Sequence, residues 1–272
     1  MKIACYLSWQ AIKNYSRSLG YVYTMVLTPL LLFFVYTGIF AGGEPDRVLH
    51  FLGPILVLMA TMNGLYGIGG DLLMMRENGT LLPYRLTPIS GAHIIASRLV
   101  IDVVLTVCVG ALEVLLAMWL YGVPIRAQAY ELLIISVLAA LALGTTGALI
   151  IEVANNFQEA SMLSQAIFLA LLILSGLTVP LQSLPQFAQV VAHFLPTTML
   201  VNAFTGVLTK GHRLAEHWRE VAVLILFIAS TGTGAILLFR WDREEKVRWR
   251  ARSLAALSMT PLIVAGVWFN LR

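Results

Sequence analysis

The sequence predicts an all-α membrane protein, a polytopic bundle of six spans. Three observations carry that expectation. The chain has 272 residues, of which 59% are hydrophobic and only 12% charged. Its mean hydropathy is +0.83, far outside the range of soluble domains. Apolar runs of about 20 residues, the length of helix that crosses a bilayer core, recur along it between short polar links. The net charge of +4 would suggest nucleic acid in a soluble protein. Here the lysines and arginines flank apolar runs, where positive charge sets orientation, so no nucleic-acid partner is expected. Cys5 and Cys108 lie far apart, the second inside a span, and suggest neither a disulfide framework nor a metal site.

Residues 1–20 read as an amphipathic interfacial helix and not as a removable signal peptide. On a helical wheel Ala4, Cys5, Ser8, Trp9, Ile12, Tyr15 and Leu19 share one arc, opposite Lys2, Gln10, Lys13, Asn14 and Arg17. The six expected spans cover residues 21–41, 51–75, 94–121, 130–151, 161–179 and 221–239, together forming a transmembrane domain over 21–239. With a cytoplasmic amino terminus, the inner side collects Lys2, Lys13, Arg17, Arg76, Arg85, Arg98 and the basic segment 240–253. The outer side holds fewer: Arg47, Arg126, Lys210, Arg213 and Arg219. The exception is the link from Glu152 to Glu159, expected inside yet without a basic residue. Residues 254–272 form an extra apolar segment whose core, 254–269, can span, re-enter or lie on the surface.

Two irregular stretches stand out. Residues 76–90 form a polar, helix-capable island between two spans: Asn78-Gly79-Thr80 breaks the preceding span, Pro83 is tolerated in a first turn, and Pro88 ends the short helix. Residues 178–208 are apolar but cut by Pro180, Pro185 and Pro196 into pieces too short to cross. Two half-helices dipping from the outer face and returning, a re-entrant hairpin, satisfy both facts; the alternative is an amphipathic loop resting on the headgroups.

Charged side chains inside spans usually face a bundle interior or water. Asp102 and Glu113 share one face of the third span, because 11 residues turn a helix about 20° past three full turns. They can form a cation or proton path with Asp71, or Asp102 can pair with Arg98 one turn earlier while Glu113 bonds a neighbouring span. The spacing of His212 and His217 does not put them on one helical face, so no metal site is expected. Small residues at Ala140 and Gly144, at Ser230 and Gly234, and at Gly64, Gly67, Gly69 and Gly70 predict close helix packing.

The order of an interfacial helix, two spans, an inner polar helix, three spans, an external proline-broken hairpin and a final span resembles the permease subunits of type 2 ABC exporters. Two patterns carry the likeness. One is Arg76-Glu77-Asn78-Gly79-Thr80-Leu81 with Leu86-Thr87-Pro88; the other runs from Ser175-Gly176-Leu177-Thr178-Val179-Pro180 through Leu184-Pro185 to Leu195-Pro196. The resemblance implies a cytoplasmic coupling helix over 76–90 that meets a separate ABC ATPase subunit through or beside Glu77, Gly79, Thr80, Leu81, Leu82 and Thr87. It also implies a second permease copy or a homologous permease, a gate near Pro180, Pro185 and Pro196, and a plasma or inner membrane location. Phe33, Met59, Met62, Tyr66 and Glu113 are candidates to line the path. The chain departs from the family pattern at Pro83-Tyr84-Arg85 and in its extra apolar segment.

No Gly-x-x-x-x-Gly-Lys-Ser/Thr loop occurs, so ATP and Mg belong to the partner, no cofactor is expected on this chain, and no residue is assigned a catalytic role. The leading expectation is ATP-driven export of an amphipathic or lipid-like compound. A sodium-ion exporter of the same fold is the alternative. A lipid-modifying membrane enzyme is a third, weakened because His93 and Ser97 form no ordered triad.

Overall fold

The computed structural model describes residues 23–125, 129–177, 181–242, 247 and 249–270. All regular structure among them is helical. The expected interfacial helix at 1–20 lies outside the described residues, as does Pro180. Helix α1 covers residues 23–40 and mixes π-helical Tyr23–Leu27 and Tyr36–Phe40 with α-helical Thr28–Val35. It is followed by α2 (Pro45–Glu77), α3 (Gly91–Tyr121), α4 (Ala129–Val153), α5 (Phe157–Leu174), α6 (Gln186–Ala192), α7 (Pro196–Lys210), α8 (Leu214–Leu237), α9 (Trp249–Leu257) and α10 (Thr260–Asn270).

Five of these, α2, α3, α4, α5 and α8, are long and apolar enough to cross a membrane. The helix ends follow local chemistry. Pro45 occupies the first turn of α2, where its missing N–H costs nothing. The Asn156 side chain accepts from Glu159 N at 2.8 Å and starts α5. Helix α2 is longer than the predicted 51–75 segment: Pro54 sits inside it without ending it, and Asn63–Ile68 winds as a π-helix. Helix α1, the first expected span, is shorter in its apolar part, Met25–Phe40. Its Phe33 and Thr37 are buried while Leu31, Phe34 and Ile39 face outward.

Glycines set the bundle core. A Cβ on Gly64 would lie 2.5 Å from Leu143 C and 2.7 Å from Gly144 N, so α2 and α4 cross with their backbones in contact. Gly234 likewise lets α8 approach Leu149 of α4. Gly70 has nothing within 4 Å and is not part of any such contact.

The proline-broken region forms an elbow. The expected half-helices are present as α6 and α7, but they meet at 86° instead of folding back on each other. Pro196 forces the preceding Leu195 into extended backbone (φ −103°, ψ 132°) and then starts α7. Helix α7 is buried along most of its length, with Phe204 and Leu208 against α2, whereas α6 exposes Phe187, Val190 and Val191. A buried half-helix and an exposed one therefore meet at the elbow. The extra apolar segment is split into α9 and α10 around Ser258–Met259, so neither piece is a full-length span. Ser258 packs near Gly234 of α8 and Gly266 packs against Phe194 at the elbow. An apolar cleft of about 920 Å³ separates this segment from α8.

At the end of the bundle that carries Arg76 and Arg240, called here the basic end, three helices are tied by one carboxylate. Arg76 Nη2 donates to Glu152 Oε1 at 2.6 Å and Arg76 Nη1 to the Ile151 carbonyl at 3.0 Å. Arg240 N donates to Glu152 Oε2 at 3.0 Å, while Arg76 Nε donates to the Arg240 carbonyl at 3.3 Å. Glu152 is 1% exposed and Arg76 4%. This clamp accounts for the link without a basic residue: Arg76 and Arg240 lie over its start, and Arg252 Nη2 reaches Glu159 Oε1 at 2.8 Å near its end. The positive charge of the 152–159 turn is supplied by other segments.

Removing one member of a buried ion pair strands the other, which costs about 3–5 kcal/mol, whereas exposed pairs contribute about 0–1 kcal/mol. Glu152→Ala should therefore sharply lower the thermal midpoint of the detergent-solubilised chain, and Arg252→Ala should leave it nearly unchanged. Equal effects would refute the distinction. Gly64→Val should abolish the monodisperse species on size exclusion, while Gly70→Ala should be tolerated.

Candidate functional site

The polar island folds as a tight, anchored loop. Helix α2 ends at Asn78, and Gly79 takes φ +68°, a left-handed conformation that a side chain would strain. Thr80 N and Oγ1 both donate to the Met75 carbonyl, at 2.9 and 3.0 Å, closing the helix end. Leu82 N then donates to the Gly79 carbonyl at 3.1 Å and starts a short 3₁₀ helix, Leu82–Leu86, with Pro83 in its first turn. Thr87 Oγ1 donates to the Tyr84 carbonyl at 2.7 Å and stops it. Ser90 caps α3 through its hydroxyl, 2.7 Å from His93 Nδ1. The expected break, short helix and stop are thus all present before Pro88.

Side chains in the loop divide between inside and outside. Leu81 is fully buried in a cluster with Leu72, Ile94, Ile95, Leu149 and Ile151, so it joins the loop to α2, α3 and α4 and presents nothing outward. Thr80, Leu82, Arg85 and Thr87 are exposed, and Glu77 and Gly79 are half-buried. Leu86 is 92% exposed, the largest value among the exposed large hydrophobic side chains. Sequence reasoning named Leu86 only within the Leu86-Thr87-Pro88 pattern and did not place it among the contact residues; its signal was an apolar residue between the two prolines of a polar island. Glu152 and Arg240 were also missed as a pair, although a lone acid closing an apolar helix was visible.

The residues proposed from sequence to line a path do not form one surface. Phe33 and Met59 are 0% and 2% exposed and pack inside the bundle. Met62 and Tyr66 are partly exposed, and the Tyr66 hydroxyl donates to Gln165 Oε1 at 2.9 Å, with its ring 5.5 Å from that of Phe168. This places them beside α5, which is largely outward-facing. Pro185 precedes α6 at the exposed side of the elbow, and Pro196 is buried at the start of α7.

The intramembrane charges are arranged differently from the expected Arg98–Asp102 pair. Arg98 Nε lies 3.0 Å from Asp71 Oδ2, and Arg98 Nη2 donates to Met75 Sδ at 2.9 Å. Asp71 on α2 therefore draws the guanidinium toward its own helix and takes the place expected for Asp102 as its charge partner. Asp102 is 4% exposed and its Oδ2 has no hydrogen-bond partner among the described residues. Glu113 is 0% exposed and neither carboxyl oxygen has one. Both carboxyls do fall on the buried face of α3, as their spacing predicted. At the start of α8, His212 and His217 approach Glu216 and Glu220, at 3.9 and 3.7 Å.

Comparison with known proteins bears on these features together. Residues 4–209 match the family described as ABC-2 type transporter. Over 181 residues the chain is 26% identical to the Inner membrane transport permease YhhJ of Escherichia coli strain K12, covering 66% of this chain and 48% of that protein. It is 22% identical over 191 residues to the Probable multidrug ABC transporter permease YbhR of the same strain, covering 70% and 52%. It is 24% identical over 186 residues to the Linearmycin resistance permease protein LnrN of Bacillus subtilis strain 168, covering 68% and 47%. The chain spans about half the length of these curated relatives. No solved structure matches it. An all-helical bundle with several membrane-crossing helices, a family match over most of the chain and relatives named as permeases agree: this multi-pass membrane protein belongs to the ABC-2 type transporter family.

Proposed function

We propose that this chain is the membrane half of an ATP-driven exporter that moves an amphipathic or lipid-like compound outward, with the basic end and the amino terminus in the cytoplasm of a cell whose plasma or inner membrane it spans. The observation that carries this reading is the Leu82–Leu86 helix, which projects a 92%-exposed leucine from a loop whose neighbour Leu81 is wholly buried. An exposed apolar side chain on a rigid, water-facing element is the form of a protein contact. The ATPase subunit binds there, with Glu77, Gly79, Thr80, Leu82, Arg85, Leu86 and Thr87 on or beside the contact. ATP and Mg stay on that subunit.

Force on the loop reaches the spans by two routes. Leu81 conveys it to the cluster joining α2, α3 and α4, and Arg76 conveys it through Glu152 to α4 and through the Arg240 carbonyl to the end of α8. Two permease copies, identical or homologous, form the path between them. Helices α1, α2 and α5 face it, because α1 and α5 expose apolar surfaces such as Leu31, Ile39, Met162 and Ile173 with Met62 and Tyr66 alongside. Walls of this kind favour an apolar cargo. The names of the relatives, which mention multidrug transport and resistance, support the same class. The elbow at Pro185 and Pro196 is the outer gate.

Purification of the full chain from its native membrane in mild detergent, followed by mass spectrometry of what accompanies it, tests the reading. An ABC ATPase is expected with the wild-type chain, and Leu86→Asp should reduce its recovery at least tenfold without altering the permease's own elution. A wild-type chain that purifies alone, under conditions that preserve other membrane complexes, would overturn it.

A further inference from the structure

The packing of α2 against α3 places several unpaired polar groups within about one helical turn of each other along the bundle. These neighbouring helices run antiparallel, and a Cβ on Gly110 of α3 would lie 3.5 Å from Met59 Cε of α2. One turn toward the basic end from that contact are Asn63 on α2 and Thr106 on α3, each 1% exposed. One further turn along α3 is Asp102, whose Oδ2 would be 2.9 Å from a Cβ on Gly144; Gly144 is also the residue against which Gly64 packs. Asn63 Oδ1 and Nδ2, Thr106 Oγ1 and Asp102 Oδ2 are all buried without a hydrogen-bond partner among the described residues.

Such a concentration is costly in a membrane bundle, where an unpaired polar group loses its hydration and gains nothing in return. The nearby arginine does not relieve it, since Arg98 pairs with Asp71. Glu113 is about 16 Å along the helix from Asp102 and cannot share a ligand with it. The π-helical winding begins at Asn63 itself and covers Asn63–Ile68. Such winding takes carbonyl oxygens out of the regular ladder and is frequent at functional sites. Irregular backbone at membrane depth is a recurrent source of oxygen ligands for small cations.

We propose that Asn63, Asp102 and Thr106 form a buried site for a monovalent cation, a resident ion distinct from the exported cargo. The donor set is one carboxylate with neutral amide and hydroxyl oxygens, all hard ligands. One positive charge balances Asp102; a divalent ion would leave an excess charge inside the bundle. The bound ion would bridge α2 and α3 immediately beside the α2–α4 glycine crossing. This inference stands independently of the exporter reading.

The test is the thermal midpoint of the purified full chain in sodium, potassium, lithium or choline chloride at equal ionic strength. A saturable rise of about 3 °C or more in one alkali salt over choline is expected for the wild-type chain. Asp102→Asn and Thr106→Val should abolish that dependence, while Glu113→Gln should keep it. A wild-type midpoint identical in all four salts would overturn the proposal, leaving water or a proton at the site. So would an undiminished salt effect in Asp102→Asn. Should that variant fail to fold, Thr106→Val and the retention of radioactive sodium and potassium by the wild-type chain decide the matter, and retention of neither overturns it.

Discussion

Glu152 sits at the end of an otherwise apolar helix, and the basic end of the bundle is arranged around it. A carboxylate with 1% exposure needs opposite charge and hydrogen bonds on both oxygens. Arg76 serves one oxygen and the backbone N–H of Arg240 the other, with the two guanidinium groups also bonding carbonyls at the end of α4. Arginine suits this position because its planar fork reaches a carboxylate and a carbonyl at once. Arg76 is also the penultimate residue of α2, one residue before the last and three before the Gly79 turn. The geometry that satisfies a buried charge therefore fixes where the exposed loop helix stands.

Above the clamp, close backbone contact replaces charge. The crossing of α2 and α4 at Gly64 and Gly144 brings α3 in beside it, and the elbow helix α7 packs against both α2 and α4, with Phe204 and Thr205 over Gly53. The unpaired Asn63, Asp102 and Thr106 lie in this tight region. The basic end is thus held by paired charges and hydrogen bonds around Glu152, while Asn63, Thr106 and Asp102 Oδ2 at mid-bundle depth have no such partners among the described residues.

Much of this was legible in the sequence. Hydropathy and length gave the spans, the Asn78-Gly79-Thr80 break and the short helix before Pro88 were readable from backbone preferences, and the prolines at 185 and 196 marked the elbow. Three things were hidden. Arg98 has acids available on two helices, and only the packing of α2 on α3 shows that Asp71 receives it. Leu81 and Leu86 are the same residue type in one polar island, and the tertiary cluster alone decides that the first is an anchor and the second a projection. The 86° angle at the elbow is likewise absent from the composition, since prolines specify a break but not the direction in which the chain leaves it.

Transmission through the clamp is the step on which the proposed transport cycle turns, and Arg76→Lys isolates it: the charge stays, but the fork that spans Glu152 and the α4 carbonyl is lost. The decisive measurement is the amount of amphipathic dye exported per ATP hydrolysed, in proteoliposomes holding the permease with its ATPase. Transmission through Arg76 predicts continued hydrolysis with the export ratio reduced at least several-fold. An unchanged ratio in a correctly assembled Arg76→Lys complex would contradict it.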